Sequence, residues 1–241
     1  PPPPPHTPPP PPPPPPQGLG RRQRQMCIRD RVNLRTPRTD RLRFLAGQRA
    51  ILSTIGVEPV EYHIASCPCD DMNLQFHICK QEDNPFAEYV FNRMQNSESI
   101  MVEGPHGNFI LREDTTRPLL FIAFGTGFAP IKSLIEHAMT LDVNEFSHLY
   151  WFHKSEGKPY LHNQGRVWAD AFDDFRYTPQ RISDLANPKD ITDSLAKITK
   201  DYPDLDDFDV YACGPETSIT TLQDFFDKQK FPSEQLFIES L

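Results

Sequence analysis

The sequence predicts a two-domain α+β protein, in which an antiparallel β-barrel is followed by an α/β domain with a parallel, Rossmann-like sheet. Two observations predict this fold class. Short strand-like segments separated by turn residues fill the chain to about residue 111, and strands alternating with amphipathic helices fill the rest. The pattern changes after Arg117-Pro118, from short strands to strands that alternate with helices. We therefore place the barrel domain at residues 32–114 and the α/β domain at residues 115–241.

The segments that predict the barrel alternate or run apolar over a few residues. They are Val32–Leu34, Arg49–Leu52, Glu61–Ala65, Asn73–Ile78, Ser99–Val102 and Asn108–Leu111. Turn residues separate them at Gly56, Pro59, Pro68 and Asp70–Asp71. One helix is predicted between them, because apolar residues recur at helical spacing at Phe86, Val90, Phe91 and Met94. Several short strands at this spacing favour a small antiparallel barrel.

The second domain begins with the apolar strand Leu119–Phe124, a glycine-containing turn and a helix with an apolar face at Ile131, Leu134 and Ile135. Further strands are predicted at His148–Phe152, Phe175–Tyr177, Asp209–Cys213 and Leu236–Glu239, with helices from Asp190 and after Cys213. Strands that alternate with helices favour a parallel sheet with right-handed crossovers.

Residues 1–31 are predicted to be a disordered Pro/Arg-rich tract that is not native protein. Fourteen of the 27 prolines fall within residues 1–16, which permits only polyproline II or disorder. Gln25–Arg31 resembles translated sequencing-adapter sequence, so we exclude the tract from fold reasoning. Two alternatives stay open: a ligand for an SH3- or profilin-like partner, and an RNA- or lipid-binding segment built on the nine arginines of residues 17–43.

Charge and apolar content exclude several classes of function. Residues 44–241 hold 16 basic and 31 acidic groups, which argues against a nucleic-acid surface there. The longest strongly apolar run, Leu119–Phe124, is far shorter than the roughly 18 residues of a membrane span. Five cysteines, an odd and sparse set, do not predict a disulfide framework. We expect a soluble cytoplasmic protein without nucleic-acid or membrane partners.

The turn Gly125–Pro130 is a candidate phosphate-binding loop. Gly125 and Gly127 allow a tight turn and close backbone approach, and the following helix start offers free amides and a favourable dipole to a diphosphate. Pro130 suits the first helical turn. The third glycine of the dinucleotide fingerprint is absent, so the pattern alone is weak, and a plain strand–helix turn is the alternative.

Cys213-Gly214-Pro215 ends a later strand and is predicted to lie at the same carboxyl edge of the sheet. The Cys213 thiol either borders a bound nicotinamide or is a small buried residue, and the sequence favours neither. Cys67 and Cys69, with His77 and Cys79, suggest a metal site, but their spacing fits neither CxxC zinc knuckles nor the plant-type iron–sulfur run. No metal site is predicted.

From Val32 to Leu241 the chain resembles the ferredoxin–NADP reductase superfamily, and within it the NAD(P)H–flavin reductases and the CDP-6-deoxyhexose reductase-like proteins. Six segments in order carry the resemblance: Phe44–Gln48, Ile64–Pro68, Gly104–Phe109, Gly125–Pro130, Tyr211–Pro215 and Leu236–Glu239. The resemblance implies a flavin-binding barrel (FAD or FMN), a domain for NADH or NADPH, and hydride transfer from nicotinamide to flavin. It further implies an electron acceptor, such as a separate iron–sulfur or oxygenase protein.

The resemblance also assigns site residues. As catalytic residues it implies Cys213, Glu239 and His63. As cofactor-binding residues it implies Tyr62, His63, Ile64, Ser66, His77, Gly125, Thr126, Gly127, Pro130, Cys213, Gly214 and Pro215. Lys154 and Ser155 are candidates for contact with a 2′-phosphate, with a solvated loop as the alternative.

Two departures from the family pattern concern the flavin. Val60 stands where members carry an arginine for the flavin phosphate, a loss on the order of 1.5–3 kcal/mol. His63 stands in place of a hydroxyl and is expected to donate a hydrogen bond instead. The family's first barrel strand is missing before Val32, which predicts an unpaired barrel edge. The alternative function is therefore a degenerate nucleotide-binding module without flavin chemistry.

Overall fold

The computed structural model describes residues 29–37, 39, 41–80, 83–95, 98–142, 144–154 and 158–241. The predictions for residues 1–28 and for Ser155 lie outside this range. The described elements are β1 (Arg29–Arg35), β2 (Arg49–Thr54), β3 (Val57–His63), β4 (Asn73–Cys79), α1 (Pro85–Asn92), β5 (Met101–His106), β6 (Leu119–Phe124), α2 (Phe128–Leu141), β7 (Ser147–His153), α3 (His162–Ala171), β8 (Phe175–Arg181), α4 (Pro188–Asp201), β9 (Asp209–Gly214), α5 (Glu216–Lys228) and β10 (Leu236–Ser240). None of the helices described has the length and apolar character that a membrane crossing requires.

The N-terminal strands form the predicted antiparallel architecture. β3, β2 and β5 make one sheet and β1 and β4 another, and a single bridge between Ile64 and Phe76 links the two. Their shared core includes the fully buried Leu52, Phe76 and Phe86, the last contributed by α1. Among the described strands, β1 pairs only with β4 and β5 only with β2. The outer edges of β1 and β5 are thus unpaired in the described part of the chain.

Three local predictions for this domain are wrong. Pro59 is not a turn residue but lies inside β3, which tolerates it because an edge strand needs no N–H on its open side. Residues 108–111 are irregular, because Phe109 and Leu111 pack individually on the second domain rather than in a ladder. β1 begins at Arg29, inside the excluded tract, since backbone pairing with β4 does not depend on side-chain type.

The second domain is the predicted parallel sheet, in the order β10-β9-β6-β7-β8. Its central strands β6 and β9 are buried along their whole length, with helices on both faces. The predicted helices are confirmed as α2, α4 and α5. The sequence did not indicate α3, in which only Gly165 and Trp168 are buried, so its apolar periodicity is weak.

The two domains share a core and a set of hydrogen bonds. Phe109 and Leu111 belong to the same apolar cluster as α2 and β6. On α2, the Ser133 hydroxyl donates to the Ser66 carbonyl at 2.7 Å and accepts from the Gly47 amide at 3.4 Å. Lys132 Nζ donates to the Ala65 carbonyl at 3.0 Å. Helix α2, which follows the glycine turn, therefore fixes the loop that follows β3.

Candidate functional site

The two predicted chemistry-bearing turns meet at the carboxyl edge of the parallel sheet. β6 and β9 are neighbours, and the chain leaves β6 toward β7 on one side and β9 toward β10 on the other, so their ends form a topological switch point. A Cβ on Gly127 would lie 2.0 Å from the Cys213 carbonyl oxygen. Only glycine allows this approach, and the turns Gly125–Gly127 and Cys213–Pro215 are therefore in direct contact.

The glycine turn is rigidly held and leads into a helix start that no described side chain caps. Gly125 has a φ of 57°, and its carbonyl accepts a hydrogen bond from Trp151 Nε1 at 3.0 Å. Phe128 stacks on Trp151 with ring centroids 3.7 Å apart. Pro130 lies in the first turn of α2, and Thr126 is partly exposed at the centre of the turn. In this turn the Phe128 amide donates to the Thr126 carbonyl and Pro130 has no N–H, so only part of the helix start is open to an anion.

Cys213 lies at this edge and is fully buried. Burial raises the pKa of its thiol well above the ordinary value, and the nearby Glu239 carboxylate acts in the same direction. β10 pairs with β9 in parallel and places Glu239 in register with Cys213. The thiol is therefore protonated at neutral pH, and the position of Cys213 beside a bound nicotinamide stays a prediction.

Glu239 faces the barrel domain through Arg49, a residue that sequence reasoning missed. Arg49 Nη1 lies 3.4 Å from Glu239 Oε1 and 3.1 Å from Glu61 Oε2. Burial raises the pKa of Glu239, and Arg49 opposes that shift. Arg49 Nε is buried without a partner among the described residues. The sequence held no signal for this contact, because nothing in it shows that the start of β2 faces the end of β10.

His63, at the end of β3, faces the same place. Its Nδ1 lies 3.1 Å from the Gly47 carbonyl, which only accepts, so Nδ1 carries the hydrogen. Burial lowers the pKa of His63 to about 4, and the ring is neutral at neutral pH. Nε2 then holds a lone pair, 3.8 Å from Glu239 Oε1. The expectation that His63 donates toward a ligand is therefore wrong: its free nitrogen accepts.

Tyr62 points to the opposite face of β3. Its hydroxyl accepts a hydrogen bond from Asn84 Nδ2 at 2.8 Å, and its ring lies 5.8 Å from Phe86. Burial raises the pKa of Tyr62 to about 12. Asn84 also caps α1 by accepting from the Ala87 amide. The structure thus separates Tyr62 from His63, because successive side chains of a strand alternate between faces.

The other predicted flavin contacts lie along the junction of the two domains. Ile64 is fully buried, and Ser66 Oγ accepts from the Gln75 amide at 3.2 Å. His77 stacks over Phe128 and shares a 2.8 Å hydrogen bond with the Tyr160 hydroxyl. The role of these residues in cofactor binding stays a prediction.

Two further predictions concern charged and sulfur-containing groups. Lys154 directly follows β7 and is exposed. Its Nζ lies 3.3 Å from Asp184 Oδ1, so Lys154 already forms an ion pair within the chain. Cys67 and Cys69 are joined by a disulfide. The number of cysteines did not indicate this bond. An odd, sparse set argues against a framework of disulfides that closes long loops, whereas the bond between Cys67 and Cys69 closes only a local ring.

The fold and this edge define a two-domain protein in which a parallel sheet faces an antiparallel barrel. Residues 121–224 match the family model described as the oxidoreductase NAD-binding domain. The ferredoxin–NADP⁺ reductase from Plasmodium falciparum has the same fold, with a TM-score of 0.70, 18% identity and coverage of 88% of this chain and 94% of that chain. The Amycolatopsis cytochrome P450 reductase gives a TM-score of 0.73 at 21% identity, covering 88% of this chain and 65% of that one.

Curated relatives agree with this assignment. The CDP-6-deoxy-L-threo-D-glycero-4-hexulose-3-dehydrase reductase of Yersinia pestis is 31% identical over 214 residues, which cover 87% of this chain and 63% of that protein. The NAD(P)H-flavin reductase of Vibrio harveyi is 28% identical over 204 residues, with coverage of 82% and 86%. The chain thus spans less than two thirds of the length of the first of these relatives. Residues 121–224 are thus similar to the oxidoreductase NAD-binding domain, the chain has the fold of the ferredoxin–NADP reductases, and the resemblance seen in the sequence is confirmed.

Proposed function

We propose that this protein is an NAD(P)H-dependent flavin oxidoreductase that moves a hydride from nicotinamide to flavin. One observation carries the proposal: the carboxyl edge of the nucleotide-binding sheet, at Glu239 and Cys213, directly faces the end of barrel strand β3 at His63. Two ring systems that exchange a hydride must be held against each other away from water. The contacts of Glu239 with His63 and Arg49 hold the edge of the sheet against the barrel at this place.

The residues present fit a pyridine nucleotide. The close contact of Gly127 with Cys213 brings the two turns together at one edge of the sheet, and the start of α2, which no described side chain caps, is the candidate position for a diphosphate. When bound, the two cofactors supply the hydride chemistry. His63 Nε2, as an acceptor, would hold the hydrogen on the flavin nitrogen that receives the hydride. Glu239, beside His63 and held by Arg49, is the carboxylate available to exchange that proton with solvent.

A flavin phosphate would find fewer contacts on the barrel domain than the diphosphate of the pyridine nucleotide finds on the parallel sheet. Val60 carries no charge, and the Asn84 side chain already satisfies the first turn of α1, the helix start beside Tyr62. Weak phosphate contacts favour a flavin that is taken up, reduced and released. We infer that flavin acts as a substrate of this chain rather than as a permanently bound cofactor.

We further propose that the reduced flavin passes its electrons in the cytoplasm to an acceptor such as a separate iron–sulfur or oxygenase protein. Similar proteins include the terephthalate 1,2-dioxygenase reductase component 1 of a Comamonas species, 28% identical over 198 residues, which cover 57% of that protein. A carbazole 1,9a-dioxygenase ferredoxin reductase shares the fold, with a TM-score of 0.67. These names describe components that work with a second protein, and they support a partner for this chain.

Steady-state oxidation of NADH and NADPH by the full chain, with FAD or FMN added, tests the function. We expect turnover that depends on added flavin, and a Val60→Arg variant that binds flavin more tightly, measured by calorimetry. Val57→Arg, on the same strand away from the junction, is the matched control and should leave flavin affinity unchanged. Nucleotide binding without turnover at saturating FAD and FMN would instead establish the alternative, a nucleotide-binding module without flavin chemistry.

A further inference from the structure

The loop after β3 contains a disulfide whose two sulfurs differ in access. Cys67 is 5% exposed, whereas Cys69 is exposed. The buried Cys67 sulfur accepts the Cys69 amide hydrogen at 3.2 Å. An attacking group from solvent therefore meets Cys69 Sγ, and the sulfur that leaves is the one held inside the protein.

His137 lies next to the buried Cys67 sulfur, and Glu113 lies next to His137. His137 Nδ1, on α2, lies 3.9 Å from Cys67 Sγ, and His137 Nε2 lies 2.9 Å from Glu113 Oε1. Because a carboxylate only accepts, Nε2 carries the hydrogen and Nδ1 faces the sulfur. A base that is within reach of a sulfur and oriented by a third group is the arrangement that activates thiols. Neither residue takes part in the nucleotide site.

We propose that Cys67–Cys69 is a thiol–disulfide exchange site for small-molecule thiols. A thiolate attacks Cys69 Sγ, the bond between the two protein sulfurs breaks, and Cys67 Sγ leaves with the electron pair and takes the Nδ1 proton of a His137 ring that carries hydrogens on both nitrogens, which leaves the neutral ring with its hydrogen on Nε2. A second thiol then attacks the mixed disulfide on Cys69, which releases the small-molecule disulfide and the Cys69 thiolate. Two thiols are oxidised and the protein disulfide is reduced by two electrons. In the reverse direction His137 removes the proton from Cys67.

The charge around the exposed sulfur favours one class of thiol. Asp70 follows Cys69 directly and is exposed, and the Glu113 side chain is half exposed. An acidic surrounding attracts cations and repels anions at low ionic strength. The site therefore suits aminothiols better than thiols that carry a carboxylate. The proposal is independent of the proposed function, because each step exchanges electrons between sulfur atoms alone.

The test is the rate at which the full-length protein, purified without reductant, is reduced by cysteamine and by mercaptopropionate. Alkylation and mass analysis of the peptide that contains Cys67 and Cys69 follows the reaction over a range of pH. We expect His137→Gln to slow reduction by about tenfold at neutral pH, because the leaving thiolate loses its proton donor. Glu113→Gln should slow it less. At equal thiolate concentration, cysteamine should react about threefold faster than mercaptopropionate at low salt, with the two converging at high salt.

Two control variants and two trapping variants complete the design. Cys79→Ser and His162→Gln, a cysteine and a histidine outside the loop, should react at the wild-type rate. With cystamine, Cys67→Ser should form a mixed disulfide at Cys69 much faster than Cys69→Ser forms one at the buried Cys67. Equal trapping rates, or a His137→Gln variant with the wild-type rate and pH profile, would overturn the proposal. So would a cysteine pair that stays reduced in excess cystamine.

Discussion

At the scale of single residues, the junction of the two domains is organised by groups whose charge state is set by burial. His63 is neutral and the Cys213 thiol stays protonated. Burial raises the pKa of the Glu239 carboxyl group, and the charge of Arg49 acts in the opposite direction. Under the proposed function, this neutral acceptor and the nearby carboxylate with a raised pKa would form a path for a proton. This arrangement arises from contacts between β2, β3 and β10, which are far apart in sequence.

The first prediction concerns stability as a function of pH. Burial lowers the pKa of His63 from 6.5 to about 4, so the unfolded chain takes up this proton first. The free energy of unfolding should therefore fall as pH decreases from about 6.5 to about 4, by about 3 kcal/mol for this residue. His148, whose pKa burial also lowers to about 4, adds a similar loss. Urea unfolding at several pH values measures the sum.

The His63→Gln variant isolates the first contribution. It should remove the His63 contribution of about 3 kcal/mol from the pH-dependent decrease, and His148→Gln should remove a similar contribution, because the two rings lie in different domains and act independently. A His63→Gln variant with the full wild-type decrease would contradict the assignment of a buried neutral ring.

The second prediction concerns Arg49 and rests on the proposed function. Without Arg49, nothing opposes the effect of burial on Glu239, so its pKa rises further. In Arg49→Met, the acid limb of the pH–rate profile for NADPH oxidation should shift to higher pH, and the rate at the acid end should fall severalfold. Arg49→Lys, which keeps the charge, should restore most of the profile. If Arg49→Met lowers the rate equally at all pH values, Arg49 has only a structural role.

At the scale of elements, the site depends on how two turns come together. The sequence predicted the strand, the turn and the helix at Gly125–Pro130, because apolar runs and glycines are local signals. It did not predict that Gly127 touches Cys213, since that contact depends on β6 and β9 being neighbours. It failed at residues 108–111 for the same reason: apolar alternation is compatible both with a strand and with a segment that packs on another domain.

The third prediction tests this contact. A Cβ at Gly127 would lie 2.0 Å from the Cys213 carbonyl oxygen, so Gly127→Ala must push the two turns apart. We expect NADPH affinity, measured by calorimetry, to fall at least about tenfold, and stability to fall by about 2 kcal/mol. Gly56→Ala is the control: its Cβ meets open space, although its φ of 75° adds strain of about 1 kcal/mol. Unchanged NADPH affinity in Gly127→Ala would show that the turns do not bind the nucleotide together.

At the scale of the whole molecule, the two domains are not independent. Phe109 and Leu111 are buried in a cluster with Phe128 and other residues of the second domain, and α2 donates hydrogen bonds to the loop after β3. A shared core couples the unfolding of its two halves. It also holds the carboxyl edge of the sheet against β3, so that the candidate site and the fold are stabilised by the same contacts.

The fourth prediction is that the chain unfolds in a single transition. Both tryptophans, Trp151 and Trp168, lie in the second domain, so their fluorescence reports on that domain, whereas far-UV circular dichroism reports on the whole chain. The two urea curves should coincide. Phe109→Ala should lower stability by about 3 kcal/mol, and Ile55→Ala, at a fully exposed turn, should leave it nearly unchanged. Two separated transitions in the wild-type protein would show that the domains unfold independently.

The sequence by itself determined the two-domain order, most strands and helices, and the positions of the two turns that are proposed to bind the nucleotide. Those features depend on local spacing, on glycine and proline, and on apolar runs that any parallel sheet buries. Only the tertiary structure decided that Arg49 joins Glu61 to Glu239, that His63 accepts rather than donates, and that His137 stands behind Cys67. Each of these contacts joins segments distant in sequence, and its chemistry depends on burial and hydrogen bonding that exist only after the chain has folded.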